Sequence, residues 1–134
     1  MKIDGACHCG NITYEAEIDP EQVLVCHCTD CQILSGSAFR TVVPAIEGSF
    51  KLLTGSLKTY VKIADSGVPR AQVFCPDCGT PIYAGPVDEG SSMLGIRVGT
   101  VRQREQLRPH SQYWCQSALD WVEDLSSLAK ESTQ

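Results

Sequence analysis

Seven of the chain's eight cysteines fall into three tight groups, Cys7-x-Cys9, Cys26-x-Cys28-x-x-Cys31 and Cys75-x-x-Cys78, and Cys115 stands apart. Thiols at such spacing serve as a disulfide framework, a redox pair or a metal site. The first residues, Met1-Lys2-Ile3-Asp4-Gly5-Ala6, carry a charge but no apolar run, so they do not read as a secretory signal. The expected location is therefore the cytoplasm, where clustered thiols bind metal or do redox chemistry in preference to forming structural disulfides. A group of three also suits a disulfide framework poorly. A thioredoxin-like role for Cys75-x-x-Cys78 needs a helix after the motif, and Gly79-Thr80-Pro81 follows instead. Metal binding is the reading that remains.

A structural zinc takes four ligands in a tetrahedron, with Zn–S of about 2.3 Å. Two short corners, each giving two thiolates from one turn, close such a site. In Cys75-Pro76-Asp77-Cys78-Gly79, proline stiffens the corner and glycine permits a positive φ after the second ligand. Cys7 and Cys9 point to one face of an extended segment, which turns His8 away. Cys7, Cys9, Cys75 and Cys78 are thus assigned to one closed site. Cys26, Cys28 and Cys31 remain, and three ligands with one exchangeable position is the pattern of a catalytic zinc. Iron stands as the alternative metal for such thiolate sites. Cys115 would close the second site and make it structural if it swung in. As an isolated residue between Trp114 and Gln116, it reads as a small packed hydrophobe. His27, between two proposed ligands, is turned from the metal and reads as a neighbour of the site or a surface group. His110 has no partner that the sequence identifies.

The chain has 134 residues, 43% hydrophobic and 20% charged, which suits a single folded domain over 1–134. Its net charge of −5, without a basic cluster, argues against nucleic acid as a partner. No apolar run approaches the roughly 20 residues that span a bilayer, so no membrane partner is expected. The pattern is mostly short strands separated by turns. From Asn11 to Asp19, Ile12, Tyr14, Ala16 and Ile18 alternate with Thr13, Glu15 and Glu17 as in a half-buried strand. Further strands are expected at Ala38–Val43, Phe50–Leu53, Leu57–Ile63 and Ala71–Phe74, and an alternating stretch at Leu94, Ile96 and Val98. Thr29 is the expected N-cap of a short helix, with Gln32 completing a capping box and Gly36 ending it. Ala118, Trp121, Val122, Leu125, Leu128 and Ala129 predict an amphipathic helix packed on the core, after a Ser117 cap. The stretch Cys9-Gly10-Asn11-Ile12-Thr13-Tyr14 echoes Cys78-Gly79-Thr80-Pro81-Ile82-Tyr83, two halves of one metal site. Arg40, Arg70 and Arg97 read as solvated strand residues, one of which could hold a substrate carboxylate. Arg40, on the strand leaving the Cys31 helix, is the candidate.

Gly5-Ala6-Cys7-His8-Cys9-Gly10, Cys26-His27-Cys28-Thr29-Asp30-Cys31-Gln32 with Ser35-Gly36, and Phe74-Cys75-Pro76-Asp77-Cys78-Gly79-Thr80 together resemble the glutathione-dependent formaldehyde-activating enzyme family. Thr54-Gly55-Ser56-Leu57-Lys58 and Gly99-Thr100 add to the likeness, which spans roughly residues 4 to 121. The resemblance implies a mainly β, β-tent zinc-binding fold with short helices. It implies a structural zinc on Cys7, Cys9, Cys75 and Cys78 and a catalytic zinc on Cys26, Cys28 and Cys31. The implied activity joins glutathione and formaldehyde, a reaction classed in reverse as that of a carbon–sulfur lyase, with a small thiol such as glutathione as the partner molecule. Three cysteinates overcompensate a divalent ion, which favours activation of a thiol over that of water. The rival reading is a non-catalytic zinc-binding module with an interaction role.

Overall fold

The strand expected between Asn11 and Asp19 forms, and its alternation is the axis of the fold. Ile12, Tyr14, Ala16 and Ile18 are each at most 3% exposed, while Glu15 and Glu17 lie in solvent. The computed structural model describes residues 1–88 and 93–133, so 89–92 and Gln134 of the expected 1–134 domain lie outside the described residues. The described strands are β1 (Lys2–Ala6), β2 (Thr13–Glu17), β3 (Leu24–Cys26), β4 (Arg40–Pro44), β5 (Lys51–Thr54), β6 (Lys58–Ile63), β7 (Pro69–Phe74), β8 (Pro81–Pro86), β9 (Gly95–Arg97) and β10 (Ser111–Tyr113). One α-helix, α1 (Thr29–Ser35), and several 3-10 turns accompany them among the described residues. The mainly β expectation holds, with strand ends displaced by one or two residues, as hydrogen-bonded boundaries commonly are.

Two sheets form. One has three strands in the order β1-β2-β5, and the other has seven in the order β10-β3-β4-β9-β8-β7-β6. All pairings are antiparallel except β10 with β3. On the inner face of the large sheet, Val43, Ile96, Tyr83 and Val73 stand opposite one another in register across four strands. Val43, Ile96 and Tyr83 meet Tyr14, Ile12 and Ile3 in one core. Bridges from Gly5 to Val101 and from Ile18 to Ala45 tie the layers at two places.

The C-terminal segment departs from expectation. Residues Asp120–Ser127 form 3-10 turns broken at Asp124, and Trp121, Leu125 and Leu128 are exposed. The spacing is helical, but the apolar stripe stays in solvent, and a short helix without a packed face is marginal in water. The packed-core reading of this stripe is therefore corrected.

Gly5 shows how closely the layers approach. The Tyr14 hydroxyl lies 2.7 Å from Thr100 Oγ1, which itself donates to the Arg97 carbonyl at 2.8 Å, so the tyrosine is the donor of the first bond. A Cβ on Gly5 would overlap that hydroxyl and stand 2.5 Å from the Thr100 carbonyl oxygen. Gly5→Ala should therefore cost about 1–3 kcal/mol in urea unfolding by overpacking, and an unchanged midpoint would contradict this close approach.

Candidate functional site

The echoed cysteine motifs fold as matching corners. Between β1 and β2, the Cys7 N–H donates to Ile12 O at 3.0 Å and the Gly10 N–H to Cys7 O at 3.1 Å. Between β7 and β8, the Cys75 N–H donates to Thr80 O at 3.0 Å and the Gly79 N–H to Cys75 O at 2.9 Å. Gly10 and Gly79 sit at φ of 83° and 74°, a region that side chains avoid. The two tyrosines that follow meet on one ring, with Tyr14 stacked on Phe50 and Phe50 edge-on to Tyr83.

This arrangement brings Cys7, Cys9, Cys75 and Cys78 together, all four Sγ atoms within 4.8 Å of one another. Cys7 and Cys9 are 3.4 Å apart, and Cys9 and Cys75 3.8 Å. A tetrahedral four-thiolate ion with bonds of about 2.3 Å has sulfur–sulfur edges of about 3.8 Å, so the donor set fits such a metal. The surroundings suit thiolates as well. The Ile12 N–H points at Cys7 Sγ at 3.3 Å. Thr80 Oγ1 accepts the His8 N–H, leaving its own proton for Cys78 Sγ at 3.1 Å, and this bond helps hold the Cys78 thiol down at about 5.

The second group is built by a strand end and a helix start. Cys26 closes β3, and Cys28, not Thr29, caps α1, its Sγ accepting the Cys31 N–H at 3.3 Å. The capping box is also replaced. Gln32 Nε2 donates to the carbonyls of His27 and Ser117, both at 2.8 Å, and so ties the helix to the loop after β10. Gly36 ends the helix in the left-handed region, as expected. Cys26, Cys28 and Cys31 converge within 4.8 Å, and no fourth His, Cys, Asp or Glu of the described residues joins them. The Cys26 thiol is held down at about 5, chiefly by the Cys31 thiol donating to it, and Cys31 is pushed up in turn.

Cys115 lies outside both groups and is exposed on a surface turn, so its reading as a packed hydrophobe is corrected. His27 is not among the converging thiols. It is 2% exposed, with Nε2 2.7 Å from Gln112 Oε1 and its ring tilted against Phe39. His110 does have a partner, Glu21, at 3.5 Å.

The three thiols line a cavity of about 530 Å³ on the outer face of the large sheet. Register places its walls: Cys26 stands opposite Arg40, Val42 opposite Arg97, Gln72 opposite Ala84, and Lys62 opposite Arg70. Small residues, Ala84 and Gly95, keep its floor low. Arg40 and Arg97 were expected in solvent, yet they are 6% and 9% exposed. The sheet face that should have met water is the wall of a cavity. Gln72 Oε1 accepts from both guanidiniums, from Arg40 at 3.3 Å and from Arg97 at 3.2 Å. Burial pulls the Arg97 guanidinium down to about 9, and the neighbouring charge of Arg40 acts in the same direction. Lys62 is paired with Asp30 from the first turn of α1.

A family model described as glutathione-dependent formaldehyde-activating enzyme matches residues 2–117. No curated protein matches the chain. Among solved structures, the crystal structure of a Rhodobacter sphaeroides protein superposes with a TM-score of 0.62 at 18% identity. That match covers 81% of this chain and 98% of the other, and it shows a shared fold.

The two thiol groups should respond differently to loss of one sulfur. Cys78→Ser breaks a group that joins segments far apart in sequence, and the melting temperature should fall by on the order of 10 °C. Cys31→Ser should release metal from its own group with only a small change in melting. Thermal unfolding with metal analysis checks this, and equal melting losses in both variants would contradict it.

Proposed function

The chain belongs to the glutathione-dependent formaldehyde-activating enzyme family, and from that premise we propose that it is a zinc-dependent carbon–sulfur lyase. Its substrates are adducts of glutathione, or a related thiol, with formaldehyde or another small aldehyde. The observation that carries this reading is the contrast between the two thiol groups: four converge at one, and three line a cavity at the other. Cys7, Cys9, Cys75 and Cys78 hold a structural zinc. Cys26, Cys28 and Cys31 hold a catalytic one. In this reading the setting is a reducing cytoplasm and the chain is a single domain held by metal.

A zinc held by three thiolates supplies an environment that keeps a substrate thiol ionised at neutral pH, against an ordinary thiol pKa of about 8.5. The chain's own residues do the rest. Arg40, opposite Cys26 on the neighbouring strand, binds a substrate carboxylate and sets the sulfur beside the cluster. In the direction of synthesis, the sulfur's electron pair forms the bond to the carbonyl carbon, and the carbonyl π pair moves to oxygen. That oxygen needs a proton, and the Lys62 ammonium, held by Asp30 in the same cavity, donates it from Nζ. In the lyase direction Lys62 takes the hydroxyl proton back as the carbon–sulfur bond breaks.

Titration of the cobalt-substituted protein with glutathione tests the reading. The sulfur–metal charge-transfer band should change at millimolar glutathione, and Arg40→Ala should weaken binding by about 1.5–3 kcal/mol. An unchanged spectrum would remove glutathione as the substrate. Unchanged affinity in the variant would remove the role of Arg40 alone.

A further inference from the structure

We infer that Arg97, together with Arg40 and fixed by Gln72, forms a two-arginine clamp for a carboxylate carried close to the substrate's sulfur. This inference rests on the reading of the three-thiol group as the substrate-sulfur site, and it narrows the substrate class to anionic thiols. Two buried guanidiniums side by side repel each other and forfeit solvation. Their shared partner, Gln72 Oε1, is a neutral acceptor and offsets neither charge. Among the described residues no carboxylate pairs with Arg40, Arg97 or Arg70. Arg97 Nε is moreover buried without any hydrogen-bond partner. A guanidinium with an unmet donor, facing a cavity, is the arrangement that a planar, two-oxygen acceptor completes.

The nearby thiolates do not account for the charge. Three thiolates around a divalent ion leave one net negative charge, whereas the two arginines bring two positive ones. Lys62 and Asp30 cancel each other, and the charge of Arg70 is offset by that of Asp65 on the wall of the same cavity. In a chain of net charge −5, this face is locally inverted, and one carboxylate would neutralise it. Register fixes the reach. Arg40 is the direct cross-strand partner of Cys26, and Arg97 is the partner of Val42 two residues further along β4. Cross-strand partners lie about 4.5–5.5 Å apart at Cα, so both arginines rise from the sheet beside the three thiols, along the wall of one cavity. Gln72 acts as a positioning residue, its Oε1 accepting from both forks.

The test compares two small thiols on the zinc- and cobalt-loaded protein: 3-mercaptopropionate, which carries a carboxylate, and 2-mercaptoethanol, which does not. The parent protein should bind the carboxylated thiol about tenfold more tightly or better. In Arg97→Ala, and in Gln72→Leu should the first variant fold poorly, that preference should fall to within about threefold, while the bound metal count stays at the parent value. Equal affinity of the parent for both thiols would overturn the clamp. Loss of metal from Arg97→Ala would also overturn it, by assigning the arginine to the cluster's charge. If neither thiol perturbs the metal spectrum, the enzyme reading fails separately, and propionate titrated by calorimetry decides the clamp. Propionate binding that disappears in Arg97→Ala would support it, and no propionate binding to the parent would overturn it.

Discussion

The convergence of two backbone corners, one from each sheet, is the constraint on which the rest of the structure depends. Cys7 and Cys9 leave the small sheet, Cys75 and Cys78 leave the large one, and their sulfurs meet. The corners are equivalent in detail, down to the cysteine N–H bond across the turn and the left-handed glycine. Side-chain links reinforce the junction: Asn11 Nδ2 donates to Asp77 Oδ2 at 2.9 Å, and the His8 N–H donates to Thr80 Oγ1 at 3.2 Å. With the proposed zinc in place, this corner closes a long loop of chain, whose closure entropy would otherwise oppose folding.

Once the corner sets the small sheet against the inner face of the large one, the outer face is left to the site. Strand alternation then does the chemistry's positioning. Every second residue along β4, β7 and β9 faces the core, and the residues between them face the cavity. The three-thiol group sits at one side of this face because β3 ends at Cys26 and α1 begins at Cys28. The Cys28 thiol serves there as helix cap and as one of the three converging sulfurs, so the cluster and the helix start are built by one residue. Gln32 extends the arrangement by binding α1 to the turn that follows β10. The resulting cavity gathers Arg40, Arg97, Arg70 and Lys62 on a protein of net charge −5, a local arrangement opposite in sign to the whole.

Much of this was legible from the sequence because it depends on local spacing. The two thiol groups that the structure brings together are the two that spacing separated, and the β2 alternation appears residue for residue in the burial of Ile12 through Ile18. The failures share a cause, which is that tertiary context overrode a local preference. Thr29 is the better capping residue by propensity, yet Cys28 occupies the cap because its sulfur must also reach Cys26 and Cys31. Arg40 and Arg97 were read as solvated because strand charges usually face water, and only the full seven-strand register reveals that their face is enclosed. The C-terminal stripe had helical spacing, yet its large apolar residues stay exposed and the segment forms 3-10 turns. The pairing of Arg97 with Gln72 joins residues on β9 and β7, strands that do not pair directly, and no spacing signal could have announced it.

The central claim is that one metal group is closed and the other admits a substrate sulfur. Cadmium NMR of the protein loaded at both groups tests it most directly, since the resonance position reports the number of sulfur ligands at each ion. The account predicts two resonances, one typical of four thiolates and one of three with a lighter ligand. Added glutathione should move only the second, into the four-sulfur range, and that resonance should be missing in Cys31→Ser. Two four-sulfur resonances before any thiol is added, neither responding to glutathione, would contradict the account.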